Sequence, residues 1–437
     1  MEQRLAIEEW WRPEPVAPAA AAHAAESRRG QLAFRALLVF TVILVVAPQS
    51  FVPALAGLRP ALVAAATASL AYVLGRASGR LPIVARAPER LLAGALFAWA
   101  LVTIPISFWP SGALQTILNE YIQSLVLFWL IAGTVTSLPR LRALAWTLAI
   151  SAVPLALTAL KHYAEGVFVQ GRVEGYSSGL AGNPNDLALM LVVILPLTLA
   201  LVGVAKRLVT KGVLAAMALL QIAAIVATFS RGGFIALVIV LGGFLLRLIR
   251  QRTFAPAVVA VMVLAAGATL LPTGYGARVG TITDYQSDPT GSAQARWSDS
   301  LVAIQFIERH PLVGAGVGLD VLALNDVRGA TWTHVHDAYL TVGVDLGLLG
   351  MGLYVLLLLS SLRTARRAEL DADREGLGDV GRLAGGVRIA LVAFVFAAFF
   401  YPIPYHPYFY LLAGMALAAR GILWESAAWE PHDQPSW

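Results

Sequence analysis

Residues 186–205 read DLALMLVVILPLTLALVGVA, with no charge after Asp186. A helix of roughly 20 residues crosses a hydrocarbon core, so this stretch is expected to span a membrane. Comparable apolar runs recur at 32–47, 53–74, 91–107, 121–135, 143–160, 213–229, 232–246, 254–271, 338–362, 387–403 and 408–423. The chain therefore reads as an all-α integral membrane protein of about twelve spans. Composition agrees: 58% of the 437 residues are hydrophobic and 13% charged, against roughly 25% charged in a soluble domain. The absence of cysteine excludes a disulfide framework, thiolate metal sites and a cysteine nucleophile. The net charge of +6 is assigned to membrane topology rather than to nucleic acid, and the lipid bilayer is the expected partner.

Lys and Arg concentrate in the cytoplasmic connections of membrane proteins, and alternate connections here differ in that way. One set holds Arg76, Arg80, Arg86 and Arg90, then Arg140 and Arg142, then Lys206, Arg207 and Lys211, then Arg247, Arg250 and Arg252, then Arg363, Arg366, Arg367, Arg374, Arg382 and Arg388. The other set is sparse, with Arg59, Lys161, Arg172 and Arg231, a few in the long loop 272–337, and none in PIPYHP (402–407). This alternation places both termini in the cytoplasm. The expected organisation is a cytoplasmic tail over 1–31, spans one to nine over 32–271, an outward loop over 272–337, spans ten to twelve over 338–423 and a second cytoplasmic tail over 424–437. The first tail, rich in Ala and Pro, lacks the apolar core of a signal peptide.

A loop as long as 272–337 is functional or disordered in most proteins. Its middle, QARWSDSLVAIQFIERH (294–310), sets Trp297, Leu301, Ile304, Phe306 and Ile307 at helical spacing. That predicts an amphipathic helix on the membrane surface or packed on the bundle. Pro311 ends it, and GAGVGLD (314–320) is expected to be a flexible turn.

Four places carry residues that invite chemistry. Arg231 lies where two apolar runs meet; a charge there is a functional candidate by default, although an arginine that snorkels to headgroups is the plainer reading. Gly232 and Gly233 remove bulk beside it, and Thr228 and Ser230 add small donors, a setting suited to a phosphate. In TWTHVHDAYL (331–340), His334 and His336 share a face of an extended chain, with Asp337 and Tyr339 following. Metal ligation is conceivable, but one short peptide rarely closes a metal site, and a neutral imidazole serves better as a general base. Arg296 precedes Trp297 at the start of the loop helix. Arg172 precedes a Gly/Ser turn, after which Asn183, Pro184 and Asn185 lead into a span in the manner of a helix cap. Asp371-Ala372-Asp373 resembles a metal-binding carboxylate pair, yet its setting, RTARRAELDADREG, reads as a charge-paired solvated helix. The glycine run 314–318 has no preceding strand and is not a nucleotide loop.

Taken together these segments resemble the superfamily of O-antigen ligases, O-antigen polymerases and bacterial protein O-oligosaccharyltransferases. The series is GNPN (182–185), TFSRGG (228–233), Arg296-Trp297, RHPLVGAGVG (309–318), HVHDAYL (334–340) and VDLGLLGMGLYV (344–355). It spans roughly 170–360, and Asp337 stands where Asn is commoner in the family. The resemblance implies a membrane-embedded, GT-C-like glycosyltransferase of the bacterial inner membrane. Its donor is O-antigen linked to undecaprenyl diphosphate, and its periplasmic active site needs no cofactor and no metal. Arg231 and Arg296, with Arg172 weaker, fit stabilisation of the departing diphosphate; His336 fits the base. His334, Asp337, Tyr339, Asn183, Asn185 and Ser230 are supporting positions. Within the superfamily, ligation to the lipid A core is favoured, because no additional soluble region is visible after span twelve. A polymerase or protein-targeting relative is the alternative, and a transporter or flippase of polyanionic lipids is the alternative from another class. A transporter needs charged or broken helices near the midplane, whereas the unusual residues here gather at one boundary.

Overall fold

The computed structural model describes residues 30–78, 87–168, 172, 173, 175, 180–250, 280 and 292–427. Proline starts many of its helices, since the first helical position has no use for an amide hydrogen and favours the φ that proline imposes. Pro60, Pro88, Pro110, Pro184 and Pro407 each open one. In chain order the helices are α1 (Gln31–Val46), α2 (Pro60–Ala77), α3 (Pro88–Thr103), α4 (Pro110–Thr116), α5 (Ile122–Thr134), α6 (Leu138–Ala164), α7 (Pro184–Val204), α8 (Leu208–Ala227), α9 (Arg231–Arg250), α10 (Ser292–Arg309), α11 (Asp320–Arg328), α12 (Ala338–Arg374), α13 (Gly378–Ala397) and α14 (Pro407–Ala427). No strand occurs among the described residues.

Ten segments among the described residues are long and apolar enough to cross a membrane. The chain is an all-α integral membrane protein. Of the twelve expected spans, 254–271 lies outside the described residues, and 408–423 is α14, which is not one of the ten. Several expected edges move, two of them for a local reason. Residues 53–58 form a separate 3₁₀ stretch, so the second span starts at Pro60. The fourth starts at Pro110 and runs through a π-helical turn, Ile117–Tyr121, into α5.

Helix α7 is apolar on every side and sits at the centre, flanked by α6, α8, α9 and α13; a helix without a polar face belongs inside. Helix α12 packs against α3, α10, α13 and α14. It is broken at Gly347, whose φ of 69° and ψ of −175° leave the helical region. The backbone groups this frees are met by the chain before α11. Ala315 N–H donates to Val344 O at 2.8 Å, Gly316 N–H to Asp345 O at 2.8 Å, and Leu348 N–H to Pro311 O at 2.8 Å. Trp99 Nε1 donates to Leu346 O at 2.9 Å. The glycine run 314–318 is thus an ordered, largely buried strap with positive φ at Gly314, Gly316 and Gly318, which corrects the flexible turn expected there. A buried backbone must hydrogen-bond, and the kink in α12 supplies the partners.

The two ends of the bundle differ in chemistry. At one end Glu369 pairs with Arg247 and Arg388, Asp379 with Arg142 and Arg382, and Asp371 with Arg374 and Arg420. The Asp371-Ala372-Asp373 stretch is accordingly part of this charge lattice. At the other end the starts of α5, α7, α9, α12 and α14 meet the end of α13. Ser230 Oγ donates to Asn185 Oδ1 at 2.8 Å and lies 3.3 Å from Tyr401 Oη; Ser124 Oγ donates to Tyr405 O at 2.6 Å; Tyr339 Oη donates to Val395 O at 2.8 Å.

Candidate active site

At that second end lies a cavity of about 480 Å³. Arg172 and the entry to α7 (Asn183, Pro184, Asn185, Asp186) form one part of its lining, and residues 400–406, between α13 and α14, form another. Thr116 and Glu120 come from α4 and the π turn. Gly318, Asp320, His334, His336 and Thr341 come from the strap, α11 and the start of α12. Of the residues singled out from the sequence, Arg172, Asn183, Asn185, His334 and His336 therefore converge on one cavity, although long stretches of chain separate them.

Ser230, Arg231, Arg296, Asp337 and Tyr339 are not among its lining residues. Ser230 reaches the lining through Asn185 and Tyr401, and Arg231 follows as the first residue of α9. Gly232 and Gly233 do not make room for an anion as the sequence suggested. A Cβ on Gly233 would meet Ala188 at 2.6 Å, and one on Gly232 would meet Phe400 at 3.0 Å. They let α9 press against α7 and the end of α13. Asp337 caps α12, its Oδ1 accepting from Tyr339 N–H at 2.8 Å and Leu340 N–H at 2.9 Å. The Tyr339 hydroxyl is spent on α13. Asn183 caps α7 by accepting from the Asn185 and Asp186 amides, which is the capping the sequence led us to expect.

The expected loop helix is α10, and it shows two apolar faces. Phe306 and Ile307 are buried against the bundle, while Trp297, Leu301 and Ile304 are exposed. Asp299 on α10 pairs with Arg328 of α11, which also donates to Thr333 O at 2.9 Å. This ties the helix bearing Arg296 to the residue before His334. The charge of Arg296 is accordingly felt at His336.

The two histidines sit in opposite electrostatic settings. His336 Nδ1 is 3.0 Å from His334 O. A carbonyl can only accept, so Nδ1 carries the proton and Nε2 keeps its lone pair. Burial, then the Arg296 guanidinium, push His336 down to about 4, and its ring is neutral at neutral pH. His334 Nδ1 lies 3.1 Å from Asp320 Oδ1, and this contact raises its pKa above the ordinary histidine value against the opposing effect of burial. Glu120 and His406 stand near His334, whereas Arg296 stands near His336 and Tyr401. His336 itself feels the charges of Arg296, His334 and Asp320.

Sequence reasoning missed Glu120, Asp320, Tyr401, Tyr405 and His406. Asp320 lies beside the glycine run, and Tyr405 and His406 lie in PIPYHP, which stands out in the sequence only for its lack of basic residues. Among the described residues, no group of three or more His, Asp or Glu is placed to hold a metal ion.

The fold and the cavity define a multi-spanning helical membrane protein with a histidine-bearing polar site at one end of its bundle. Residues 214–355 match the family model described as O-antigen ligase. That segment contains Ser230, Arg231, Arg296, Asp320 and the whole of 334–340, and it supports the O-antigen ligase family for this chain. Members of that family are glycosyltransferase-like membrane enzymes that use lipid-linked polysaccharides. The chain matched no curated protein.

Proposed function

We propose that the protein is an O-antigen ligase of the bacterial inner membrane, transferring polysaccharide from undecaprenyl diphosphate to a hydroxyl of the lipid A core. The observation that carries this reading is the position of His336, its Nε2 unprotonated, on the lining of the cavity and within the influence of the Arg296 guanidinium. Arg231, Arg296 and Arg172 stabilise the donor diphosphate, on which charge grows as the glycosidic bond breaks. The acceptor oxygen forms its bond to the anomeric carbon from the opposite face. The old carbon–oxygen bond leaves its electron pair on the diphosphate, and the acceptor proton passes to His336 Nε2. A single displacement inverts the anomeric centre. Asn183, Asn185 and Ser230 hold the entry to α7 and α9 in register, while His334, Asp337 and Tyr339 seat the histidine segment.

The cavity faces the periplasm in this reading. The charge lattice at the other end of the bundle supports that orientation, because basic residues favour the cytoplasmic side. A transporter reading would use the break in α12 as a binding point, but that break is filled by backbone of the strap. The deciding experiment is reconstitution in liposomes with undecaprenyl diphosphate-linked glycan and lipid A core, in the presence of chelator. The expected result is a higher-mass lipid A product with inverted linkage. Elongated donor in place of that product would mark a polymerase, and no covalent product at all would overturn the enzyme reading.

A further inference from the structure

Asp320 is the first residue of α11, 2% exposed, and lies on the wall of the cavity. Its carboxylate has two partners on the histidine segment. Oδ1 and Oδ2 lie 3.1 and 3.2 Å from His334 Nδ1, and Oδ2 accepts from Val335 N–H at 2.9 Å. The peptide unit joining His334 to Val335 carries both that amide and the carbonyl to which His336 Nδ1–H donates. One buried carboxylate thus grips the residues on both sides of the carbonyl that orients His336. Deeper still, the strap before α11 is sewn to the kink of α12, Asp345 accepting from Gly318 N–H at 2.8 Å and Leu319 N–H at 3.2 Å. Asp320 consequently has little freedom to drift.

We propose that Asp320 is the positioning residue for His336: clamped to His334 and Val335, it fixes the His334 carbonyl, and so the ring orientation and tautomer that leave His336 Nε2 toward the substrate. The inference rests on the ligase reading for its chemistry and names a residue which that reading does not use. His334 serves as the clamp and touches no reacting atom. Held beside the carboxylate, its ring is charged below its raised pKa, and loss of that proton at higher pH weakens the grip; Glu120, His406 and His336 are the other titratable groups facing it.

The test separates a clamp from a proton acceptor. Asn at 334 places an amide N–H near the position of Nδ1–H and does not titrate. His334→Asn is expected to keep kcat within about threefold of the native value and to lose the alkaline limb of the pH profile. Asp320→Asn and His334→Ala are expected to lower kcat by about 10- to 100-fold, the scale of a displaced catalytic group, with the KM for donor and for acceptor changed by less than about threefold. In ¹⁵N spectra of histidine-labelled protein, His336 should hold the Nδ1–H tautomer in the native chain and become a tautomer mixture in Asp320→Asn. A His334→Asn protein as inactive as His336→Ala would make His334 itself the proton acceptor and overturn the proposal, as would Asp320→Asn with native kcat, pH profile and tautomer. If the native protein transfers no glycan, the ligase reading fails, while the tautomer measurement still decides whether Asp320 positions His336.

Discussion

His336 and His334 are two residues apart and titrate in opposite directions because their neighbours differ. A buried imidazole beside a guanidinium loses its proton readily, and one beside a carboxylate keeps it. If His336 is the base, its neutral form is present at pH 7 and is lost as pH falls through about 4. The acid limb of kcat/KM should accordingly lie well below the range of an ordinary histidine. Arg296→Gln removes a charge that lowers His336, so that limb should move to higher pH; a limb left in place would detach Arg296 from the base. His336→Ala should reduce transfer by about 10²- to 10⁴-fold, the usual worth of a general base, while equilibrium binding of undecaprenyl diphosphate in detergent stays near native. Arg231→Lys keeps the charge and loses the planar fork; the expected outcome is a fall in donor turnover of about tenfold or more, with thermal stability retained.

Among the elements, α12 decides whether the site exists. Its break at Gly347 permits the strap to pair with Val344 and Asp345, and the strap leads directly into Asp320. A Cβ on Gly347 would lie 2.5 Å from the carbonyl carbon and oxygen of Leu312, at a φ of 69°. Gly347→Ala therefore meets a backbone strain of about 1–3 kcal/mol in addition to that overlap. The expected outcome is a lower unfolding midpoint in detergent together with loss of transfer, because the histidine clamp is displaced with the strap. The sequence marked this region as glycine-rich and as part of the family resemblance, without locating the break. Positive φ favours glycine, but which glycines bend and which admit a neighbouring helix depends on what they face: Gly347 and Gly314 make turns, whereas Gly233 accommodates Ala188.

Across the whole molecule the charged lattice and the cavity occupy opposite ends. The chain has no cysteine, so a single introduced thiol reports on one position alone. Thr331→Cys, near the histidine segment, should react with a membrane-impermeant maleimide in cells whose outer membrane alone is opened. Glu375→Cys, at the far end of α12, should react only after the inner membrane is breached. Labelling in the reverse order would invert the proposed orientation and remove the periplasmic site.

Much of this was legible along the chain. Spans such as 186–205 follow from composition, because lipid accepts only long apolar helices with satisfied backbones. The loop helix at 292–309 follows from its period, and His334 and His336, which line the cavity, stood out as polar groups at a membrane boundary. What only tertiary structure decided is which of them share a cavity and what each one faces. Asp320 lies fourteen residues before His334 and Glu120 more than two hundred; no local period or motif links them, since their meeting depends on a kink in one helix, a π turn in another and the strap between. Spans arise from contact with lipid, which each segment makes by itself, whereas proton affinity and tautomer arise from neighbours that folding brings from elsewhere in the chain.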